Sequence, residues 1–268
     1  MHSLKALLAL PGRGFLRYLT YLGQLGFLVG ELWNSLRKGR IRVRQVAQQI
    51  VTIGYGSQTV VVVTGAFTGA VFTAQSYFKF KDFGIESSIG GIVSVSMCRE
   101  LGPVLAGLMV AGRVGASMAA EIGTMKVSEQ IDALRVMGVH PVDYLVMPRF
   151  LAMMISMPLL IAESIVFGLG ASVLVGTGVF AIPFAWFWRH VVEHTNLEDL
   201  SFGMTKGFVF GLLIVLISCH QGMSASNGAV GVGLGTTRAV VYSSLALLIF
   251  NFFLTLFLNQ FFPLGSAS

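Results

Sequence analysis

The sequence predicts an all-α integral membrane protein with five transmembrane helices, and its composition supports that fold class. Hydrophobic residues make up 54% of the 268 residues, charged residues only 11%, and the mean hydropathy is +0.78. Soluble domains carry about 25% charged residues, so a soluble fold of this size could not bury so much apolar surface. Glycine is abundant, with 32 residues, as expected where membrane helices pack closely.

The charge distribution indicates one side of the membrane rather than a nucleic-acid partner. Residues 1–53 contain eight Lys or Arg residues and one acidic residue, Glu31, while the whole chain carries a net charge of +6. A basic arm beside membrane spans more often marks the cytoplasmic side, where anionic lipid attracts it. The two cysteines, Cys98 and Cys219, lie in apolar segments and predict neither a disulfide framework nor a metal site.

Residues 1–53 are predicted to form an amphipathic interfacial helix followed by a basic juxtamembrane segment. From Phe15 to Leu36, apolar residues recur at helical spacing with polar residues between them. A full membrane span is the alternative for this segment. Residues 1–10 resemble a signal peptide only faintly, and we expect no cleavage because Pro11 and basic residues interrupt the apolar run.

Residues 54–268 are predicted to form one transmembrane domain. Its spans are expected at about 54–75, 89–114, 148–180, 202–219 and 239–262. Glycines at a spacing of four let membrane helices approach each other closely. This pattern occurs in the first span at Gly65 and Gly69, and in the fourth at Gly203, Gly207 and Gly211.

A short charged segment, 126–137, separates the second span from the third. It is too polar to cross a membrane and too short to form a domain, so we expect a helix at the membrane surface that contacts another protein. Glu129, Asp132 and Arg135 fall on one side of this helix, while Ile131, Leu134 and Val136–Met137 supply apolar contact. The positive-inside rule places this helix and the amino terminus in the cytoplasm and the carboxyl terminus outside.

The most informative ionisable residues lie within or beside the apolar segments: Arg99, Glu100, Glu163, Lys206 and Arg238. Such a residue costs about 2.5–3.5 kcal/mol at the centre of a membrane helix, so it usually faces protein or water. One interpretation is structural, with ion pairs that fix the packing of helices. The other is a binding site for a charged head group within an otherwise apolar cavity, where three cations and one acid, Glu100, suit an anionic ligand.

Three patterns that could indicate catalysis or cofactor binding are weak. His190, Glu193 and His194 match H-x-x-E-H, but they lie in the connector predicted at 183–201, on the outer side, with no obvious third ligand. The glycines from Gly228 to Gly235 match no phosphate-binding motif and are interpreted as a flexible loop before the fifth span. The chain contains no G-x-S-x-G motif, so we expect no catalytic residues, no metal site and no enzymatic activity.

The segment 100–141, ELGPVLAGLMVAGRVGASMAAEIGTMKVSEQIDALRVMGVHP, resembles the central segment of MlaE-type permeases. These are the membrane subunits of ABC transporters that maintain lipid asymmetry in Gram-negative envelopes. The stretch NGAVGVGLGTTRAVV is similar to a second recognisable stretch of the family, and PRF at 148–150 also fits. The resemblance covers about residues 40–262.

The resemblance implies a homodimer in the inner membrane that moves phospholipid. It implies a separate ATPase subunit that binds ATP and Mg, a periplasmic ring of MCE-domain proteins and a cytoplasmic STAS-domain subunit, with no cofactor on this chain. It makes 126–137 the coupling helix that contacts the ATPase through Glu129, Gln130, Ile131, Leu134 and Met137. It places Arg99, Glu100, Lys206 and Arg238 near the lipid cavity.

Two alternatives come from other functional classes. An ion-coupled secondary carrier would use Glu163 and Glu100 as titrating groups. A structural anchor would only hold partner proteins at the membrane.

Overall fold

The computed structural model describes the backbone of residues 2–39, 42–85 and 88–261, and their side chains except those of 2–15, 17 and 18. This part of the chain is helical and contains no β-strand. The helices are α1 (His2–Arg37), α2 (Val43–Lys81), α3 (Ile89–Val127), α4 (Gln130–Val136), α5 (Val142–Gly178), α6 (Phe184–His194), α7 (Leu197–Met223) and α8 (Gly228–Leu258). Five of them, α2, α3, α5, α7 and α8, are long and apolar enough to cross a membrane, which confirms the predicted fold class.

The two ends of the helical bundle carry different elements. Because successive spans alternate in direction, α4 and the turn between α7 and α8 lie at one end, called here the α4 end. The turn after α2, the helix α6 and the carboxyl end of α8 lie at the opposite end. α1 packs at the α4 end, against the start of α5 and against α7.

Close approach at glycines holds the bundle together. A Cβ atom added to Gly65 of α2 would lie 2.6 Å from the Ser164 carbonyl oxygen of α5, and one on Gly69 would meet the carbonyl of Gly168. In α7, a Cβ on Gly203 would meet the Cys98 carbonyl of α3. The remaining pair, Gly207 and Gly211, faces Pro158 and Met153 of α5. Backbone contact of this kind is the main attraction between helices in lipid.

Four turns within the spans are π-helical rather than α-helical. They are Val51–Tyr55 in α2, Met97–Leu101 and Ala111–Gly115 in α3, and Val142–Val146 in α5. Turns of this kind occur frequently at functional sites. Both π turns of α3 carry charged residues, Arg99 and Glu100 in the first and Arg113 in the second.

The structure corrects the interpretation of the glycine-rich segment. The residues from Gly228 to Gly235 are the first two turns of α8, not a flexible loop. The turn before α8 is made by Asn227 and Gly228, with φ of 63° and 67°. Helical backbone satisfies its own hydrogen bonds, which outweighs the low helix propensity of glycine where helices are packed in a membrane.

Other helix boundaries also differ from the prediction. The second span continues to Val127, so the separate surface helix is only Gln130–Val136. The connector predicted at 183–201 contains α6 and the start of α7. The predicted end of the fifth span at Phe262 lies outside the described residues.

Candidate functional site

A polar cluster joins α3, α7 and α8 in the half of the bundle opposite α4. The Arg99 guanidinium forms an ion pair through Nε with the Asp199 carboxylate at the start of α7. Its Nη1 donates a hydrogen bond to Oδ1 of Asn259, just after α8, at 3.0 Å. One arginine therefore connects the first π turn of α3 to both helices that flank it.

Lys206 and Glu100 form the second ion pair of this cluster. Lys206 Nζ lies 2.8 Å from Glu100 Oε1 and donates to the backbone carbonyl of Arg99, also at 2.8 Å. The Glu100 carboxylate accepts further hydrogen bonds from Asn251 Nδ2 at 3.0 Å and from Thr255 Oγ1 at 2.9 Å. All its partners therefore come from α7 and α8.

An aromatic ring separates the two cations. Arg99 Cζ lies 4.8 Å from the centroid of the Phe202 ring, and Lys206 Nζ lies 4.9 Å from it. Cations at this distance are attracted to the ring's quadrupole. Phe202 itself is fully buried, so it fixes the separation of the two ion pairs.

The cluster is electrically balanced, which the sequence did not indicate. Its two cations, Arg99 and Lys206, face two carboxylates, Glu100 and Asp199. The sequence prediction had three cations and one acid because it included Arg238 and omitted Asp199. Arg238 is exposed on α8, thirteen residues before Asn251 and thus about 20 Å from it along the helix.

The members of the cluster differ in access from outside. The Lys206 side chain has no exposed surface, whereas 39% of the Glu100 side chain is exposed. A ligand could therefore reach the Glu100 carboxylate and its amide and hydroxyl partners without unpacking α7.

α4 is anchored on one side and exposed on the other. Ile131 is 1% exposed and belongs to the main hydrophobic core, and Leu134 is half-buried against it. The exposed apolar surface of α4 is instead Val136, at 90%, and Met137, at 68%. Of the residues predicted to contact an ATPase, the structure therefore places Ile131 inside the protein and Met137 on its surface.

A bend and a set of ion pairs fix α4 against α3. Glu129 adopts a left-handed conformation with φ of 60°, and it and Gln130 are both exposed. Asp132 lies 3.0 Å from Lys126 Nζ and 3.2 Å from Arg135 Nη1. The hydrogen bond from Lys126 lowers the pKa of Asp132 below its ordinary value, and the charges of both cations add to this effect.

A groove of about 710 Å³ at the α4 end separates α1 from the α4–α5 turn. His140 Nε2 lies 3.9 Å from Glu31 Oε1 across it, and a ring nitrogen of His220 lies 3.1 Å from Gln24 Oε1. The sequence did not predict this groove, since its walls come from segments far apart in the chain.

Charged side chains outside the polar cluster also connect the spans. Arg149 Nη2 pairs with Glu121 Oε2 at 2.8 Å, and Arg113 Nη1 donates to the Ser57 hydroxyl at 2.8 Å. Glu163 accepts a hydrogen bond from Gln58 Nε2 at 3.0 Å, which joins α5 to α2. The structure thus gives Glu163 a partner outside the polar cluster.

The H-x-x-E-H residues lie on α6, at the end opposite α4. The candidate ligand atoms of His190, Glu193 and His194 lie within 4.8 Å of one another. Arg189 Nε donates a hydrogen bond to Glu193 Oε1 at 2.6 Å, which lowers the pKa of Glu193. All three groups come from one helix, and the Glu193 carboxylate is already paired with Arg189. The expectation that the chain has no metal site stays a prediction.

Known proteins are similar to this chain over most of its length. The family model described as Permease MlaE matches residues 46–257. A probable ABC transporter permease protein of Rickettsia typhi is 41% identical over 246 residues, which cover 92% of this chain and 95% of the relative. One from Synechocystis sp. is 40% identical over 234 residues, 87% of this chain and 89% of the relative.

A plant protein is also similar. The chloroplast protein of Arabidopsis thaliana named TRIGALACTOSYLDIACYLGLYCEROL 1 is 38% identical over 233 residues, which cover 87% of this chain and 67% of that protein. The match to the family model spans both π turns of α3, α4 and the whole of α7. The chain therefore belongs to the MlaE family of ABC transporter permeases.

Proposed function

We propose that this protein is the permease subunit of a transporter that moves phospholipids between the inner membrane of a Gram-negative bacterium and a periplasmic carrier system. The observation that carries the proposal is α4: a seven-residue helix between two spans, anchored by Ile131 and presenting Val136 and Met137 outward. An exposed apolar pair beside a fixed set of charges suits a docking contact with another subunit. The name of the Arabidopsis relative includes a glycolipid, which supports a lipid substrate.

In this proposal, α4 couples the motion of the ATPase to the spans because short links join it to them. Two residues separate it from α3, and five separate it from α5. A partner ATPase that binds ATP and Mg would move α4, and α3 and α5 would follow because their links are too short to absorb the motion. Since α3 carries Arg99 and Glu100, the motion would reach the polar cluster.

The lipid would bind between two copies of the chain. In this arrangement Glu100 is the accessible group of a cavity that narrows on ATP binding, and the buried Arg99 and Lys206 support it from inside the protein. Arg238 would contribute to the same cavity about 20 Å nearer the α4 end. The chain itself holds no cofactor. The α4 end and the amino terminus face the cytoplasm and a STAS-domain subunit, and the carboxyl terminus faces the periplasm and a ring of MCE-domain proteins.

The test replaces the exposed residues of α4 in the full complex. Val136→Asp together with Met137→Asp leaves the buried anchor Ile131 in place, so we expect the permease to fold. The ATPase subunit should no longer copurify with it, and the purified sample should lose ATP hydrolysis. The matched control is Val179→Asp with Leu197→Asp, which places two carboxylates on exposed apolar positions at the opposite end. We expect this control to retain the activity.

Two results would contradict the proposal. ATP hydrolysis that copurifies equally with the α4 double variant would show that α4 is not the docking contact. A complex with no ATPase, whose lipid transport instead collapses with an ion gradient, would favour the secondary carrier and its carboxyl group Glu163.

A further inference from the structure

Arg113 is a cation of the span α3 that has no ion-pair partner among the described residues. It is exposed, lies in the second π turn of α3, and donates through Nη1 to the neutral hydroxyl of Ser57. Three cations in the interior of the spans, Arg99, Lys206 and Arg149, each have a carboxylate partner. No carboxylate among the described residues lies within ion-pairing distance of Arg113, and an exposed arginine near a membrane surface attracts anionic lipid.

The surroundings of Arg113 leave room for a ligand. A Cβ atom on Gly56 would lie 2.7 Å from Arg113 Nη2, so glycine at that position gives the guanidinium its space. A cavity of about 270 Å³ opens beside it, with Thr52 and Ser117 among the lining residues. Glu121 also lines this cavity, and both oxygens of its carboxylate have partners: Oε2 pairs with Arg149 and Oε1 accepts a hydrogen bond from the Ser117 hydroxyl. The Thr52 hydroxyl donates to the Gln48 carbonyl.

Arg113 lies farther along α3 from the first residue of that helix than the hydrocarbon core is thick. It follows Ile89, the first residue of α3, by 24 residues, or about 36 Å at 1.5 Å per residue. The hydrocarbon core is about 30 Å thick, so a helix that enters at Ile89 reaches the opposite head-group layer near Arg113. Arg99 lies fourteen residues earlier, about 21 Å nearer the other end.

We propose that Arg113, with Ser57 and the hydroxyl-lined cavity beside it, binds the phosphate group of a phospholipid in the leaflet nearer α4. This inference rests on the proposed function and adds a second lipid site to it, in the leaflet away from the polar cluster. Arginine suits the role because its planar guanidinium donates two parallel hydrogen bonds to a phosphate and keeps its charge. Arg113 Nη1 would then donate to a phosphate oxygen, either in place of the Ser57 hydroxyl or in addition to it.

The two lipid sites can be tested separately by photocrosslinking in cells grown with radioactive phosphate. A benzophenone amino acid at Ser117 reports on the Arg113 site, and one at Leu101 reports on the polar cluster. We expect labelled, lipid-extractable adducts at both positions. Arg113→Gln should reduce the Ser117 adduct several-fold and leave the Leu101 adduct intact, whereas Arg113→Lys, which keeps the charge, should retain part of it.

The control variant is Arg189→Gln, which removes an exposed arginine at the opposite end and should change neither adduct. Label at Leu101 alone would overturn the Arg113 site while leaving the proposed function in place. Label at neither position would contradict the proposed function itself.

Two competing roles for Arg113 would give distinct results. Stabilisation of the purified protein by inorganic phosphate, lost in Arg113→Gln and without any lipid adduct at Ser117, would identify a free-anion site and overturn the proposal. A fall in the fraction of dimer in Arg113→Gln, with the Ser117 adduct unchanged, would assign the arginine to contact with a second copy and also overturn it.

Discussion

The packing of α2 against α5 makes a quantitative prediction for glycine substitutions. The Cβ of a Gly65→Ala variant would lie 2.6 Å from the Ser164 carbonyl oxygen, 2.7 Å from Ser164 Oγ and 2.9 Å from Ser164 Cα. Ordinary contact begins near 3.4 Å, so the two helices must separate by about 0.8 Å. A gap of that size loses about a quarter to a half of the dispersion energy of each contact it opens.

The obstacle is backbone, which cannot rotate away as a side chain can. We therefore expect Gly65→Ala to lower the free energy of unfolding by about 2–3 kcal/mol, the upper part of the range for overpacked cores. The matched control is Gly170→Ala in α5, where no heavy atom lies within 4 Å of the added Cβ. That variant should be unchanged or slightly more stable, because alanine favours the helix.

Gly107→Ala is the intermediate case. Its Cβ would meet Phe210 Cδ2 at 3.1 Å, and the ring can shift by a few tenths of an ångström. Reversible unfolding by sodium dodecyl sulfate in detergent micelles gives the three free energies. If Gly65→Ala and Gly170→Ala have the same stability, the reasoning from backbone contact is wrong.

Two further predictions concern the ion pairs at either end of the bundle. Lys206→Met should destabilise the protein by about 3 kcal/mol, the low end for breaking a buried pair, because Glu100 stays partly exposed. Adding Glu100→Gln should recover part of that loss in the same unfolding assay, and a double variant that is less stable than Lys206→Met would refute the pairing. At the α4 end, the lowered pKa of Asp132 means that its contribution to holding α4 is present above the ordinary aspartate pKa and is lost as pH falls through the lowered value. Amide exchange in residues 130–136, corrected for intrinsic rates, should therefore accelerate on acidification and lose this pH dependence in Asp132→Asn; equal acceleration in both proteins would contradict it.

The membrane fold and its five spans could be predicted because apolar length is a local property of the sequence. The pairing of Arg99 with Asp199 could not, since a hundred residues separate them and periodicity carries no information about tertiary contacts. Asp199 also has a sufficient local role, because it and Asn196 form the capping box of α7.

The orientation of α4 and the role of Arg113 were hidden for different reasons. In a helix of seven residues, a single turn decides which apolar side chains are buried, and the turn depends on the left-handed Glu129 before it. Arg113 lies in the run AGRVGAS, where its neighbours are small and give no sign that it faces Ser57 of another helix.

The two π turns of α3 have a consequence for variation in length among related chains. Each π turn holds one residue more than an α-helical turn needs, because its hydrogen bonds join residues five apart instead of four. Deleting a single residue between Met97 and Leu101 would thus restore a regular α-helical turn and leave the parts of α3 on either side of it in nearly their present register. Arg99 and Glu100 would lose their present directions, whereas Arg113, in the second π turn, would keep its neighbours. A change of one residue in length at this turn would therefore act on the polar cluster and spare the rest of the span.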